Sequence, residues 1–308
     1  MITIPQSSLS VFPLCLGGNV FGWSADEEES LKVLDAYVKV GGNFLDTADV
    51  YSEWKEGNRG GESERIIGNW MKKRGNRDSI VVATKVAKYS ERPGLSAQNI
   101  LSACDESLRR LQVDHIDLYY AHEDDEKTPL AESLEAFTTL VEAGKVRYIA
   151  SSNYSALRMR EALRISKEGG FASYIGAQNL YNLLDRDEYE GEVAEVISAN
   201  NLSCIPFYGL ARGFLTGKYK PGAEVESVRN QGVTKYQNDR GWRTVEALRE
   251  ISKEHGSSIA AVALAWLRVQ PTVSVPIASA RTVQQLEEIT QIVQLSGEEI
   301  ARLSQITA

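Results

Sequence analysis

The residues best suited to chemistry are an acid, a phenol, an ammonium and an imidazole: Asp46, Tyr51, Lys85 and His122. Asp46 and Tyr51 lie in NFLDTADVY (residues 43–51), where the apolar pair Phe44 and Leu45 runs straight into the acid. A phenol with a pKa near 10 is a poor acid–base group at neutral pH. A neighbouring ammonium favours its phenolate, and a carboxylate paired with that ammonium keeps the cation charged and placed. An imidazole can hydrogen-bond a substrate oxygen and assist the proton's path. Such a set suits protonation of an oxygen while something else arrives at the carbon, and reduction of a carbonyl by hydride meets that demand. Taken singly, Lys85 could be a solvated strand end, Tyr51 a packed loop residue and His122 a satisfied core histidine. Only a common location would join them.

A scaffold must supply that location. Short β-rich runs alternate with helical stretches along the 308 residues. Strands are expected around 14–17 and at 43–47, 80–85, 116–122, 146–151, 174–178, 203–208 and 273–277. Several are nearly continuous in Ile, Val and Tyr, as strands buried on both faces of a parallel sheet should be. Ser24 and Glu27 read as a capping box before SLKVLDAYVKV, which stops at Gly41 and Gly42. Thr128 and Pro129 open PLAESLEAFTTLVEA, with Gly144 at its end. Ser96, Ser155 and either Ser257 or Ser258 can cap three further helices. Repeated β-then-α units without a linker favour one domain over 1–308, a (β/α)8 TIM barrel rather than an open doubly wound sheet. In such a barrel the C-terminal strand ends meet at one mouth. Reading those ends collects Asp46, Lys85, His122, Ser151, Ser152, Asn153, Gln178 and Ser279. A long loop after the seventh strand, at about 209–241, would be a natural lid.

Composition narrows the function. A formal net charge of −8 argues against nucleic acid or an anionic membrane as the main partner. No apolar run approaches a spanning helix, and MITIPQSSLS lacks the regions of a signal peptide. Cys15, Cys104 and Cys204 are odd in number and widely spaced, as buried free thiols in a reducing cytoplasm would be. The three histidines form no ligand pattern with them, and no nucleophile elbow or dinucleotide G-x-G-x-x-G occurs. GLARGFLTGKY fails as a phosphate loop, because Arg212 and Tyr219 stand where Gly and Ser or Thr are required.

The motifs FLDTADVY, VVATKV, DLYYAH, VRYIASSNYS, AQNLYNLLDR, FYGLARGFLTGKY and PIASARTVQQLEE occur in this order along the chain. Through them the chain resembles the aldo-keto reductase family over nearly its whole length. The AQNLYN and GFLTGKY forms look most like the branch of bacterial aryl-alcohol dehydrogenases and potassium-channel β-subunits. The resemblance implies a metal-independent, NADPH-dependent barrel that reduces a small aldehyde or ketone and releases NADP+. It implies Tyr51 as the proton donor, Lys85 and Asp46 as the pair that tunes it, and His122 as the fourth member. Ser152, Asn153 and Gln178 match residues that hold the nicotinamide carboxamide. Phe207, which would stack on the nicotinamide, and Leu210 complete that end. Ser279, Arg281, Gln285 and Glu288 match the adenosine end, with Arg281 on the 2′-phosphate.

The pattern is broken at three places. Phe207-Tyr208-Gly209-Leu210 replaces the usual Tyr-Ser-Pro-Leu, Ile289 replaces a common Asn, and Glu123, Asp124 and Asp125 follow His122 directly. The acids are expected to be a solvated loop, with rejection of anionic substrates as the functional alternative. Asp49 has no assigned role. Two rival functions are a cofactor-binding regulatory subunit with slow turnover and a Schiff-base lyase built on Lys85.

Overall fold

Strands that are apolar on both faces need cover on both, and a closed barrel with an outer ring of helices supplies it. The computed structural model describes residues 1–222 and 230–307. An antiparallel hairpin, β1 (Ile2–Thr3) and β2 (Ser10–Val11), comes first. The barrel strands are β3 (Cys15–Gly17), β4 (Phe44–Asp46), β5 (Val81–Val86), β6 (Ile116–Ala121), β7 (Val146–Ser152), β8 (Tyr174–Gln178), β9 (Ser203–Cys204) and β10 (Ile277–Ala278). They pair in parallel in the order β10-β3-β4-β5-β6-β7-β8-β9.

The ring closes between β9 and β10 through single contacts. The Cys204 N–H donates to Thr272 O (2.9 Å), Ser274 N–H to Cys204 O (2.9 Å) and Ile277 N–H to Pro206 O (2.9 Å). Both strands are shorter than the runs 203–208 and 273–277 suggest, and β10 begins only at Ile277. Pro206 and Pro276 lack the N–H a regular ladder needs and can only accept, Pro206 O from the Ile277 N–H and Pro276 O from the Cys15 N–H, so the ladder here is broken into single bonds.

Alternation along the strands divides the core in two. Cys15, Phe44, Val81, Ala83, Leu118, Tyr120, Ala150 and Ile175 point into the barrel, where Ile4, Leu9 and Val11 join them. The N-terminal hairpin thus plugs one end, a role that two-residue strands give no periodic signal to reveal. Leu45, Val82, Tyr119 and Ile149 point outward to the helix layer.

The helices that follow the strands are α1 (Glu27–Lys39), α2 (Glu62–Arg74), α3 (Ala97–Leu111), α4 (Leu130–Glu142), α5 (Ala156–Gly169) and α6 (Glu192–Ala199). Next come a single turn, α7 (Asn230–Val233), then α8 (Asp239–Glu254), α9 (Ile259–Arg268), α10 (Val283–Thr290) and α11 (Gly297–Ile306). Ser96, Ser155 and Ser258 cap α3, α5 and α9 as expected. The cap of α1 is Asp26, not Ser24: its side chain accepts from the Glu29 N–H, two residues further along than the expected box.

The segment 209–241 is less of a free loop than the sequence suggests. It holds 3-10 turns at Ala211–Thr216 and Thr234–Tyr236 and the start of α8, while 223–229 lies outside the described residues. Phe214 anchors its described parts, with its ring 5.1–6.1 Å from those of Tyr219, Tyr236 and Trp242. Among the described residues no helix is long and apolar enough to cross a membrane.

Candidate active site

The inward parity of β4, β5 and β6 builds the site. Phe44 faces the barrel, so Asp46 does too; Ala83 carries Lys85 inward, and Tyr120 carries His122 just past the end of β6. Lys85 is 0% exposed, and its ammonium donates to three acceptors. These are Asp46 Oδ2 at 2.6 Å, Thr47 O at 2.8 Å and Tyr51 Oη at 2.9 Å. Its three N–H groups are therefore fully used, which fixes the rotor. The turn after β4 folds back through Tyr51 N–H to Ala48 O (3.2 Å) and sets the phenol above the lysine. The Tyr51 hydroxyl's own proton is directed toward Asp46 Oδ2 across 3.3 Å, a long contact.

Asp46 has a second anchor that strand alternation does not reveal. Ile149 of β7 lies opposite Tyr174, but Ser151 lies opposite Ala177, so β8 contains one extra residue. This bulge switches parity within β8: Ile175 faces the barrel, Ala177 the helices, and Gln178 inward again. Gln178 Nε2 then donates to Asp46 Oδ1 at 2.9 Å. Both carboxylate oxygens of a nearly buried acid are thereby engaged.

Burial decides the protonation states. It pushes the Tyr51 phenol well above its usual value, and the Asp46 carboxylate adds to the rise. The lysine beside it does not reverse that, so the phenol is raised where charge pairing alone had suggested a lowered value. Burial also pulls Lys85 down, against the opposing pull of Asp46. His122 is held well below the usual imidazole range by burial, then by Lys85 and Lys88. It is neutral, its ring lies edge-on to Tyr51 at 5.9 Å, and its Nδ1 is buried without a partner.

A cavity of about 1020 Å³ opens over these residues. Of the thirteen residues given a catalytic or cofactor role from the sequence, twelve line it; Lys85 lies beneath, behind Tyr51 and Asp46, and Ser151, also at a strand end, is not part of the lining. At one end, Ser152 Oγ donates to Gln178 O (2.8 Å), and Asn153, at φ 57°, donates from Nδ2 to His122 O (2.9 Å). Phe207 and Leu210 form part of the wall. At the other end, Ser279 Oγ donates to Asn19 Oδ1 (2.6 Å), and Gln285 Oε1 accepts from the Arg281 N–H (3.0 Å). Gln285 thus braces the turn that opens α10, beside Arg281 and Glu288.

The cavity wall also contains Asn19, Trp54, Lys88, Tyr208, Arg212 and Lys218, which sequence reasoning missed as site residues. Asn19 was within reach of the strand-end rule, since it follows β3 closely. Lys88 was not, because it depends on Ala87 adopting φ 122°. Tyr208 and Arg212 also have positive φ (53° and 58°), and the Arg212 guanidinium stacks over the Tyr208 ring at 4.2 Å. The three acids after His122 are not a solvated run. Glu123 pairs with Lys88 (3.3 Å), Asp124 with Arg158 (2.7 Å), and Asp125 caps the loop by accepting from the Leu95 N–H and Thr128 hydroxyl.

The room and the lining fit a dinucleotide with a small substrate. The volume is at the upper end of ligand pockets, about 300–1,000 Å³. A Cβ on Gly17 would come within 2.6 Å of Ser279 Oγ, so the glycine keeps the floor between the two ends low.

Comparison with known proteins gives the family. Residues 13–308 match the model of the aldo/keto reductase family. A Bacillus subtilis protein named uncharacterized oxidoreductase YrpG is 35% identical, over 97% of this chain and 92% of its own length. A probable voltage-gated potassium channel subunit beta of Oryza sativa is 32% identical, over 92% of this chain and 88% of its own. The norsolorinic acid reductase of Emericella nidulans is 32% identical, over 96% and 78%. The chain belongs to the aldo/keto reductase family.

Proposed function

We propose that this aldo/keto reductase uses NADPH to reduce an aldehyde or ketone, with Tyr51 donating the proton to the carbonyl oxygen. The observation that carries the reading is the Lys85 tripod, which holds the phenol oxygen 2.9 Å from a buried ammonium at the floor of an open cavity. Burial keeps Tyr51 protonated at neutral pH, so it meets a carbonyl as an acid. The 3.3 Å contact to Asp46 leaves its proton weakly held, and a substrate oxygen is the better acceptor. As the proton leaves, Lys85 steadies the developing phenolate, and Asp46 and Thr47 keep Lys85 in place. Neutral His122 presents a ring nitrogen to the same oxygen and orients it. In alcohol oxidation Tyr51 would act in reverse, as base.

NADPH, when bound, supplies the hydride. Ser152, Asn153, Gln178, Phe207 and Leu210 would hold its nicotinamide end, and Ser279, Arg281, Gln285 and Glu288 its adenosine end. Arg281, a cation beside the first turn of α10, suits a 2′-phosphate. In this reading Gln178 has a second duty through its hydrogen bond to Asp46.

The test is Tyr51→Phe, which should lower turnover by about 100-fold or more while leaving NADPH binding nearly intact. A variant retaining about a tenth of wild-type turnover would remove the acid from Tyr51. The relatives named as channel subunits keep a second reading open, a cofactor-binding regulatory subunit. NADPH bound tightly but not consumed with a panel of aldehydes would favour it. A Schiff-base role is weaker, since all three N–H groups of Lys85 are committed.

A further inference from the structure

The cavity wall breaks the usual form of its motif at 207–210, and the break changes what holds the backbone there. This chain has Phe207-Tyr208-Gly209-Leu210 in place of Tyr-Ser-Pro-Leu. A proline at 209 would confine residue 208 to an extended backbone. With glycine at 209, Tyr208 takes φ 53°, a left-handed conformation that a residue with a Cβ rarely adopts. Its side chain then lines the cavity, edge-on to Phe207 at 5.1 Å and near enough to Tyr51 to add to the rise of that phenol.

Such a conformation persists only where its surroundings hold it. Within its own turn, the Tyr208 carbonyl accepts from the Ala211 N–H (2.7 Å), and Arg212 donates to the Tyr208 hydroxyl (3.2 Å). Ala211 and Arg212 are themselves left-handed, at φ 47° and 58°, so they share the strain. The outside support is Asn182, from the loop after β8. Asn182 is 0% exposed, and its Nδ2 donates to Tyr208 O at 3.0 Å and to Asp185 Oδ2 at 2.8 Å. Its Oδ1 accepts from the N–H groups of Leu184 (2.8 Å) and Asp185 (3.0 Å), so the amide cannot turn over. Asp185 in turn accepts from Lys235 Nζ (2.7 Å) and Tyr236 Oη (2.5 Å). One loop thus grips the wall at Tyr208 and the 3-10 turn at Thr234–Tyr236 together. Neither Asn182 nor Asp185 lines the cavity, so whatever they do there passes through Tyr208.

Resting on the reductase reading, we propose that Asn182, backed by Asp185, is a positioning residue for the cofactor. It holds the left-handed turn in which Tyr208 and Arg212 form part of the seat for the nicotinamide end of NADPH.

The experiment titrates NADPH against tryptophan fluorescence and records stability in urea. Gly209→Pro, which forbids the left-handed Tyr208, should weaken NADPH binding by about 10-fold or more. A methyl at Gly209 would press on Leu264 and Leu267 at 3.0–3.2 Å. Gly209→Ala brings that crowding without the ring, and should weaken binding by no more than about 3-fold. Asn182→Ala should weaken it by about 10-fold, but by less than about 2-fold in a Tyr208→Gly background, where glycine needs no holding. Its cost in stability should persist in both backgrounds, because the Leu184 and Asp185 N–H groups lose their acceptor either way. Should Asn182→Ala not fold, the two Gly209 variants decide alone. Binding losses that add in the double variant, or equal losses for Gly209→Pro and Gly209→Ala, would overturn the positioning role and leave reduction standing. The expected binding pattern without consumption of NADPH by any aldehyde would uphold the positioning role and refute reduction. A wild type that does not bind NADPH would overturn both.

Discussion

Two nearly buried aspartates stand at opposite ends of the barrel wall, and their partners differ. Asp117, near the start of β6, accepts from the Val82 N–H (2.9 Å) and pairs with Arg77 (2.9 Å) and Arg147 (3.0 Å). Asp46, at the end of β4, is paired with one lysine and one amide, and that lysine passes a third hydrogen bond to a phenol. Arginine does not give up its proton in proteins, and although His115 Nε2 also lies 3.6 Å from Asp117 Oδ1, none of these residues lines the cavity, so their contacts tie the strand starts together. Lysine and tyrosine can both titrate, and theirs is the cluster that faces a cavity. The same acid is a fastener at one end and, in the function proposed above, part of a proton-delivery device at the other because of what surrounds it.

The sharpest way to break this contrast is to remove the cation. Lys85→Met should abolish reduction, by about 100-fold or more, and also destabilise the fold, because Asp46 would remain buried and unpaired at a cost of about 3–5 kcal/mol. Asp117→Ala should leave kcat/KM unchanged while costing about 1–3 kcal/mol through the stranded Val82 N–H, as urea unfolding would record. Equal activity losses in the two variants would erase the distinction.

pH separates the directions of catalysis. The phenol is raised, so it stays protonated through the neutral range: reduction should keep its acid there, and alcohol oxidation, which needs the phenolate, should gain with every step toward alkaline pH. A kcat/KM profile for oxidation that is flat from about pH 7 to 10 would contradict the phenol as base. His122 is already neutral, so neither profile should show a limb near the usual imidazole value of about 6.5.

A test confined to stability concerns Asp49, within the turn that joins Asp46 and Tyr51 in NFLDTADVY. It is 2% exposed, its Oδ1 has no partner, and burial, with help from Glu64, pushes it up to about 8. Its folded value lies above its unfolded one, so folding disfavours ionisation. That penalty is absent below about pH 4, grows as pH rises and levels off near 8. Asp49→Asn should therefore gain stability over wild type with rising pH, by an amount on the order of a few kcal/mol. A gain independent of pH would mean that Asp49 is ionised throughout.

Much of this was legible in the chain. Parallel strands buried on both faces leave runs of Ile, Val and Tyr, so most barrel strands could be located, and the polar residues ending six of them marked the mouth. The last two strands were harder, because Pro206 and Pro276 replace a ladder with single contacts. The inward turn of Gln178 depends on an extra residue in β8, and nothing in YIGAQ distinguishes a bulged strand from a regular one. Lys88 and Trp54 depend on loop backbone and on neighbouring rings, neither of which has a period.

By itself, then, the sequence determined the family, the eight-fold alternation and the four residues brought together at the mouth, because strand period and strand-end position are local properties. Tertiary structure alone decided which of them are charged, what holds Asp46, and what holds the cavity wall at Tyr208. Those depend on burial and on contacts between residues far apart in the chain, and desolvation is strong enough to outweigh the pairing that residue types suggest.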